Sequence, residues 1–441
     1  MKTRTIIAAS LTIILLFSLM GCSDTTEEPG TIDWSDLDQR AELFVSALVN
    51  GDYSEAAGGF DNTMKKALSV NALKRAWEDT LKEAGLFISI VRTDVIPHDE
   101  YYIYEVISRH ENKGVNTRVV FSEDDLIAGL FFSFTENPSD LDPTPVQKEG
   151  YTEIPVIIGE GTDYPLNGIL SIPDNVSGAL PAVVLVHGSG PIDMNGTAFG
   201  IGLLEVLAEN LAQNGIAALR YNKRTFSHGA KLNAEYGDNL TVWEETIEDA
   251  ILAKNLLLEN EQIDNSAVYV LGHSLGGMLA PRIVSEGGFT GGIIMAGSAR
   301  SLIDIIYDQN KYHIELMDIS ENERLALYEQ VDEAREHFFN LPETYIAEMD
   351  AHPAEVYLAV TENPFLILQG GKDFQVSADV DFALYQEIAE GRENFTLRLY
   401  DELTHLFTVS TMEKPTIEDY LAGSSISKMP MSDIVEWVKT N

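Results

Sequence analysis

The chain has 441 residues, 45% of them hydrophobic, with 29 Lys and Arg against 70 Asp and Glu and a formal net charge of −41. That length and apolar content exclude a disordered chain and predict two or three domains with buried cores. So negative a surface repels nucleic acid and anionic lipid headgroups, and a single cysteine excludes disulfides within the chain.

The first residues, Met1-Lys2-Thr3-Arg4, carry positive charge and lead into an apolar run over residues 6–20. A charged n-region followed by such an h-region predicts a secretory signal over residues 1–21. Leu19-Met20-Gly21-Cys22 resembles a bacterial lipobox. The resemblance implies that Cys22 is acylated, and that the exported protein is held on the outer face of a bacterial membrane by its lipid. An uncleaved anchor helix is the rival reading, although the apolar run is short for a span. Residues 22–35 read as a polar tether. The acidity fits a salty or alkaline habitat and equally a surface selected for solubility.

Over residues 36–85, Leu37, Ala41, Phe44, Val45 and Leu48 recur at helical spacing, as do Leu73, Ala76, Trp77 and Leu81. Residues 87–134 then alternate, with Tyr102-Ile103-Tyr104-Glu105-Val106-Ile107, Val119-Val120-Phe121 and Leu130-Phe131-Phe132 separated by turn residues. Helices followed by an antiparallel meander predict a small α+β domain over residues 36–135. It resembles the nuclear-transport-factor-like or cystatin-like domains that precede some exported hydrolases. No catalytic cluster is evident there, and His98 and His110 read as turn and strand surface residues. Residues 136–150, with three prolines and several acids, read as a linker.

From residue 151 strands and helices alternate. Residues 154–172 predict paired strands, 181–186 a buried strand, 203–212 a helix, 216–221 a strand and 246–258 a helix. Further strands are predicted at 365–369 and 395–400, with a helix at 380–389 between them. This pattern predicts a mostly parallel sheet with helices on both faces, whose ligands bind beyond the strand C-termini. Within it, Val268 to Leu271 is a β-branched run that stops at Gly272-His273-Ser274-Leu275-Gly276, after which residues 275–284 read as a helix. A serine between two glycines at a strand-to-helix turn is a nucleophile elbow. Small neighbours let the strand and helix close, strain turns the hydroxyl outward, and the Leu275 amide at the helix N-terminus is offered to a developing oxyanion.

On these residues the region 151–441 resembles the α/β-hydrolase family, in its serine esterase branch. The resemblance implies a chain order of Ser, Asp, His. Leu366-Ile367-Leu368-Gln369-Gly370-Gly371-Lys372-Asp373 is similar to the family's acid loop and makes Asp373 the candidate acid, with Asp401 and Glu402 as fallbacks; Asp379 and Asp381 read as charges at a helix N-terminus. Tyr400-Asp401-Glu402-Leu403-Thr404-His405 follows the last strand and makes His405 the candidate base. His187-Gly188-Ser189-Gly190-Pro191 is similar to the family's His-Gly-x-Gly segment, which implies that the Ser189 and Leu275 amides form the oxyanion hole. His187 and His273 read as supports of these loops. Arg220-Tyr221-Asn222-Lys223-Arg224 is read as pinning loops through ion pairs, with contact to an anionic substrate as the alternative. An insertion over about 300–362, helical at 302–316, 323–339 and 353–360, reads as a cap. Its Tyr307, Tyr312, Phe338, Phe339, Tyr345 and Tyr357 are candidates for pocket or cap core.

No metal-ligand spacing and no phosphate loop is evident, so neither cofactor nor metal is expected. The resemblance implies cleavage of a small-molecule carboxylic ester through an acyl-enzyme. A secreted peptidase, thioesterase or acyltransferase of the same fold, or a non-catalytic surface-binding lipoprotein, are the alternatives.

Overall fold

The computed structural model describes residues 37–96, 102–122, 125–135, 145–174, 176–199, 201–317, 319–334, 343–421 and 425–441. Cys22 and the rest of the signal and tether lie outside these residues, as do His98, His337, Phe338 and Phe339. Contacts divide the chain into two units. Of the described residues, one holds those from 37 to 135 together with Ser227–Glu235, and the other holds those from 145 to 226 and from 236 to 441.

The first unit begins with α1 (Leu37–Asn50), α2 (Tyr53–Gly58), α3 (Asn62–Ala67) and α4 (Val70–Ala84). Asp61 and Ser69 cap α3 and α4 by accepting from the Met64 and Ala72 amides, which would otherwise lack partners. The chain then forms an antiparallel meander, β1 (Phe87–Ile96), β2 (Tyr102–His110), β3 (Gly114–Phe121) and β4 (Ile127–Thr135), paired in that order. The apolar stripe of α1 (Ala41, Phe44, Val45, Leu48) and Leu73 and Trp77 of α4 share one core with Tyr104, Val106, Val119 and Phe121. His110 departs from its expected surface position. The alternation of β2 sends Tyr104, Val106, Ser108 and His110 to the same buried side. There His110 packs edge-on between the rings of Trp77 and Phe87, with centroids 5.8 and 5.6 Å away, and its Nδ1–H donates to the Gly85 carbonyl at 3.2 Å.

The second unit is built on a nine-stranded sheet. Its strands are β5 (Val146–Gln147), β6 (Tyr151–Ile158), β7 (Leu166–Pro173), β8 (Leu180–Val186), β11 (Ala217–Tyr221), β12 (Ile263–His273), β13 (Gly291–Met295), β14 (Phe365–Gly370) and β15 (Phe395–Tyr400); β9 (Thr197–Ala198) and β10 (Ile201–Gly202) pair separately. The order is β15-β14-β13-β12-β8-β11-β7-β6-β5. From β11 to β15 every pairing is parallel, while β5, β6 and β7 add an antiparallel edge. The sheet thus starts at Val146, inside the stretch read as linker.

The parallel strands are covered on both faces, which explains their continuous apolar runs. On β8, Val184 and Val186 share a core with Ala250, Ala253 and Leu257 of α7 (Glu248–Leu258) and with Leu279 and Ile283 of α8 (Leu275–Gly287). Val183 and Leu185 face the opposite core, with Leu204, Leu207 and Leu211 of α5 (Leu203–Gln213) and Met431, Ile434 and Trp437 of α15 (Lys428–Thr440). The remaining helices are α6 (Arg224–Glu235), α9 (Leu302–Leu316), α10 (Glu321–Ala334), α11 (Glu343–Ala351), α12 (Ala354–Val360), α13 (Ala383–Ile388) and α14 (Glu418–Leu421). Those from α9 to α12 occupy the predicted insertion between β13 and β14. The parallel topology brings the loops after β8, β12, β14 and β15 to one rim.

Candidate active site

Ser274 lies in the single-residue turn between β12 and α8, with φ 56° and ψ −117°. Such a backbone is costly for a residue with a Cβ and persists only where the surroundings impose it. Here the Ser274 amide donates to the Met295 carbonyl at 2.9 Å, and the glycines on either side let helix and strand meet. A Cβ on Gly272 would fall 2.0 Å from the Gly276 carbonyl oxygen, and one on Gly276 would fall 2.5 Å from the His187 oxygen. The elbow read from the sequence therefore has a steric basis at both glycines.

Asp373 follows β14 and is buried. Its Oδ1 accepts from the Gln375 and Val376 amides at 2.8 and 2.9 Å, and its Oδ2 accepts from Gln369 Nε2 at 2.9 Å and His405 Nδ1 at 2.8 Å. Four donors hold this carboxylate in one orientation. Because His405 Nδ1 carries the donated proton, its Nε2 is the ring's basic position. His405 sits in a tight turn after β15, where the Thr404 amide donates to the Thr408 carbonyl at 2.9 Å. Gly370 lets this turn approach the acid loop, since a Cβ there would lie 2.3 Å from the Leu403 carbonyl oxygen. The fallback acids Asp401 and Glu402 are exposed and do not take part.

Ser274 and His405 line one cleft of about 110 Å³, together with Ser189, Ile192, Phe199, Leu203 and Leu406. The Ser274 hydroxyl makes no hydrogen bond among the described residues. Contacts between nucleophile and base are often loose before substrate binds. A second, smaller cleft of about 40 Å³ meets the first at Ser189, Ser274 and Gln375, and is lined by Met278, Leu302, Ile305 and Ile306. Its cap-side wall is α9.

The Ser189 and Leu275 amides donate to no group among the described residues, and both residues line the smaller cleft. Gly188 packs so closely on the elbow that a Cβ would lie 3.1 Å from that of Ser274. His187 is buried edge-on against Tyr221, and burial, followed by the nearby Lys223 charge, lowers its pKa to about 3. His273 is held neutral in the same way, its pKa lowered to about 3 by burial first and by His405 second.

The basic cluster at residues 220–224 points inward and is fully engaged. Arg220 pairs with Glu153 at 2.9 Å, Lys223 with Glu245 at 2.8 Å, and Arg224 with Asp249 and Glu248. Loop pinning, rather than contact with an anionic substrate, is what this geometry provides. Asp381 departs from the simple helix-end charge expected of it. It is wholly buried in the turn preceding α13, where it accepts from Ser298 Oγ at 2.5 Å and from Arg300 Nε at 2.8 Å. Among the cap aromatics, Tyr312 stacks on Phe374 with centroids 5.8 Å apart, Tyr357 donates to Glu286, and Tyr345 donates to buried Glu245.

Residues 211–422 match the Prolyl oligopeptidase family, and residues 41–130 match a family described as Protein of unknown function (DUF3887). The esterase EstD of Thermotoga maritima is 32% identical over 416 residues, which cover 93% of this chain and 97% of that protein. Among solved structures, a Pyrococcus furiosus esterase is similar at 18% identity and a TM-score of 0.42, covering 68% of this chain and 97% of its own. Est1E from Butyrivibrio proteoclasticus is similar at 15% identity and a TM-score of 0.42, covering 65% and 96%. With a relative matched along nearly its whole length, and a mostly parallel sheet carrying a serine elbow, the chain belongs to the α/β-hydrolase esterases.

Proposed function

We propose that this esterase cleaves carboxylic esters of small or medium size through an acyl-enzyme, with Ser274 as nucleophile, His405 as general base and acid, and Asp373 as its orienting carboxylate. The observation that carries the reading is the 2.8 Å bond from His405 Nδ1 to a fully engaged Asp373, with His405 and Ser274 on the wall of one cleft. Ser274 Oγ attacks the ester carbonyl carbon while His405 Nε2 takes its proton. The carbonyl oxygen becomes an oxyanion and accepts from the Ser189 and Leu275 amides, which are worth most in the transition state. His405 returns the proton to the leaving alcohol. Water, deprotonated by the same ring, then attacks the acyl-enzyme and releases the acid.

The two clefts receive different halves of the ester. A leaving oxygen must lie beside the imidazole that protonates it, so the alcohol takes the larger cleft, which His405 lines. The acyl chain takes the smaller one, walled by Leu302, Ile305 and Ile306. Among the described residues neither lining includes a carboxylate, lysine or arginine, which favours an uncharged ester.

The test is hydrolysis of p-nitrophenyl acetate and labelling by a fluorophosphonate. Ser274→Ala should abolish labelling, and loss of any of the three side chains should reduce turnover by about four orders of magnitude. Labelling that survives Ser274→Ala would sink the assignment. The match to the Prolyl oligopeptidase family supports a second reading as a peptidase, which aminoacyl p-nitroanilides would reveal in the same assay.

Export and lipid anchoring at Cys22 belong to the same proposal, supported by the charged and apolar N-terminus and the Leu19-to-Cys22 segment. Cys22→Ser should prevent incorporation of radiolabelled palmitate and move the protein from the membrane fraction to the soluble one. An unchanged distribution would remove the anchor from the proposal.

A further inference from the structure

Ser189 N–H and the Gly188 carbonyl are the two ends of one peptide unit. Whatever holds the carbonyl also aims the amide. The partner of the Gly188 oxygen is Lys223 Nζ, at 2.9 Å. This lysine is 1% exposed, an unusual state for an ammonium group unless it is paired. Its counter-charge is Glu245 Oε1 at 2.8 Å, and the other oxygen of Glu245 accepts from the Tyr345 hydroxyl of α11. The surrounding backbone ties the same loop down, since the Lys223 amide donates to the Ile192 carbonyl at 3.1 Å and Asn222 Oδ1 accepts from the Met194 amide at 2.8 Å.

The ion pair with Glu245 uses one of the three ammonium donors of Lys223, and the bond to Gly188 uses a second. The additional bond to Gly188 places a positive charge against the carbonyl end of the peptide whose amide end faces the cleft. In a buried setting, a cation there draws electron density toward the oxygen and makes the N–H a stronger donor, because hydrogen bonds in series polarise one another.

We propose that Lys223 is a positioning residue for the esterase reaction, orienting and polarising the Gly188–Ser189 peptide so that the Ser189 amide stabilises the oxyanion. This rests on the reading of Ser189 as an oxyanion donor. Lys223 itself touches no reacting atom. Glu245 holds it in place, and Tyr345 fixes Glu245 from the cap.

The test separates this role from mere support of the fold. Lys223→Met alone leaves Glu245 buried without its partner, so the informative variant is Lys223→Met with Glu245→Gln, in which both charges are removed. Folding is checked by circular dichroism and thermal unfolding, and kcat and KM are measured with p-nitrophenyl acetate. The expected result for the folded double variant is a kcat lowered roughly tenfold to a hundredfold with KM within about twofold of wild type, a fraction of the 10²–10³ lost when an oxyanion donor is removed outright. Affinity for a trifluoromethyl ketone, whose hemiketal oxygen occupies the oxyanion site, should fall in parallel with kcat, and Lys223→Arg should recover part of both. A folded double variant with wild-type kcat would overturn the proposal. So would a loss shared equally between kcat and KM with the ketone affinity unchanged. Ser274→Ala in the same series keeps the two readings apart, because activity surviving that substitution would refute the nucleophile and not the lysine.

Discussion

His273 Nε2–H donates to the backbone carbonyl of His405 at 3.0 Å, and the two rings lie 4.8 Å apart. The residue before Ser274 therefore holds the turn that carries His405. This bond spans 132 residues of sequence and joins β12 to the loop after β15. His273→Ala removes the donor and the ring contact while leaving the elbow glycines intact. The expected outcome is a kcat lowered by roughly tenfold, with His273→Gln, which retains an N–H of similar reach, losing less. Steady-state kinetics on p-nitrophenyl acetate decide this, and equal activity in all three proteins would show that the bond does not position His405.

The loops that carry Asp373 and His405 are joined in a comparable way at Gly370. A methyl group there would meet the carbonyl oxygens of Leu403 and Thr404 at 2.3 and 2.6 Å, far inside contact distance. Gly370→Ala must push the His405 turn away from Asp373 and stretch their 2.8 Å bond. Misplacing a catalytic group by about 1 Å can cost roughly 10²-fold in rate. Activity should accordingly fall by about that factor in protein that still folds, as measured by kcat alongside thermal unfolding. Wild-type kcat in Gly370→Ala would mean that the loops reach their geometry by another route.

The elbow was legible because its signals are local: a β-branched run, glycines at both flanks and a helical run all fall within about twenty residues. Asp373 and His405 can be paired from the sequence only through the family's chain order, since nothing near either residue marks them as hydrogen-bond partners. The sequence reads Lys223 as pinning a loop through an ion pair, but its tie to Gly188 crosses 35 residues and is legible in neither segment. Asp381 and His110 show the opposite failure. Both are polar side chains turned inward to hydrogen-bond partners, and for His110 the alternation through Tyr104, Val106 and Ser108 already points to the core side. The C-terminal helix α15 is not among the expected elements, although Met431, Ile434, Trp437 and Val438 follow helical spacing.

Burial of His110 makes the first unit sensitive to acid. Its pKa is lowered to about 4 by burial, against an ordinary value of 6.5. The unfolded chain takes up a proton near pH 6.5 that the folded chain refuses until about pH 4. Stability from the neutral ring is therefore complete above 6.5 and lost progressively as pH falls toward 4. His110→Gln carries no titrating group, so it should be less stable than wild type at pH 7.5 through lost packing on Trp77 and Phe87. The gap should narrow by up to about 3 kcal/mol on acidification. Chemical denaturation of both proteins between pH 7.5 and 4.5 measures it, and a gap that stays constant would show that the ring is not held neutral.

Each cleft should select one half of the ester. The smaller cleft, about 40 Å³ and closed by Leu302, Ile305 and Ile306, has room for a short chain, whereas the larger one of about 110 Å³ is bounded by Ile192, Phe199, Leu203 and Leu204. If the acyl group occupies the first, kcat/KM for p-nitrophenyl esters should fall steeply beyond a butyryl chain. Ile305→Ala should then raise the octanoate-to-acetate ratio by about tenfold, because each methylene newly accommodated in an apolar site is worth about 1 kcal/mol or more. Phe199→Ala should leave that ratio unchanged and instead alter selectivity among acetates of different alcohols. The assignment depends on His405 lining only the larger cleft, so that the protonated leaving group must lie there. Should Phe199→Ala shift the acyl-chain profile and Ile305→Ala the alcohol profile, the ester binds in the reverse sense, and His405 delivers its proton toward the cap.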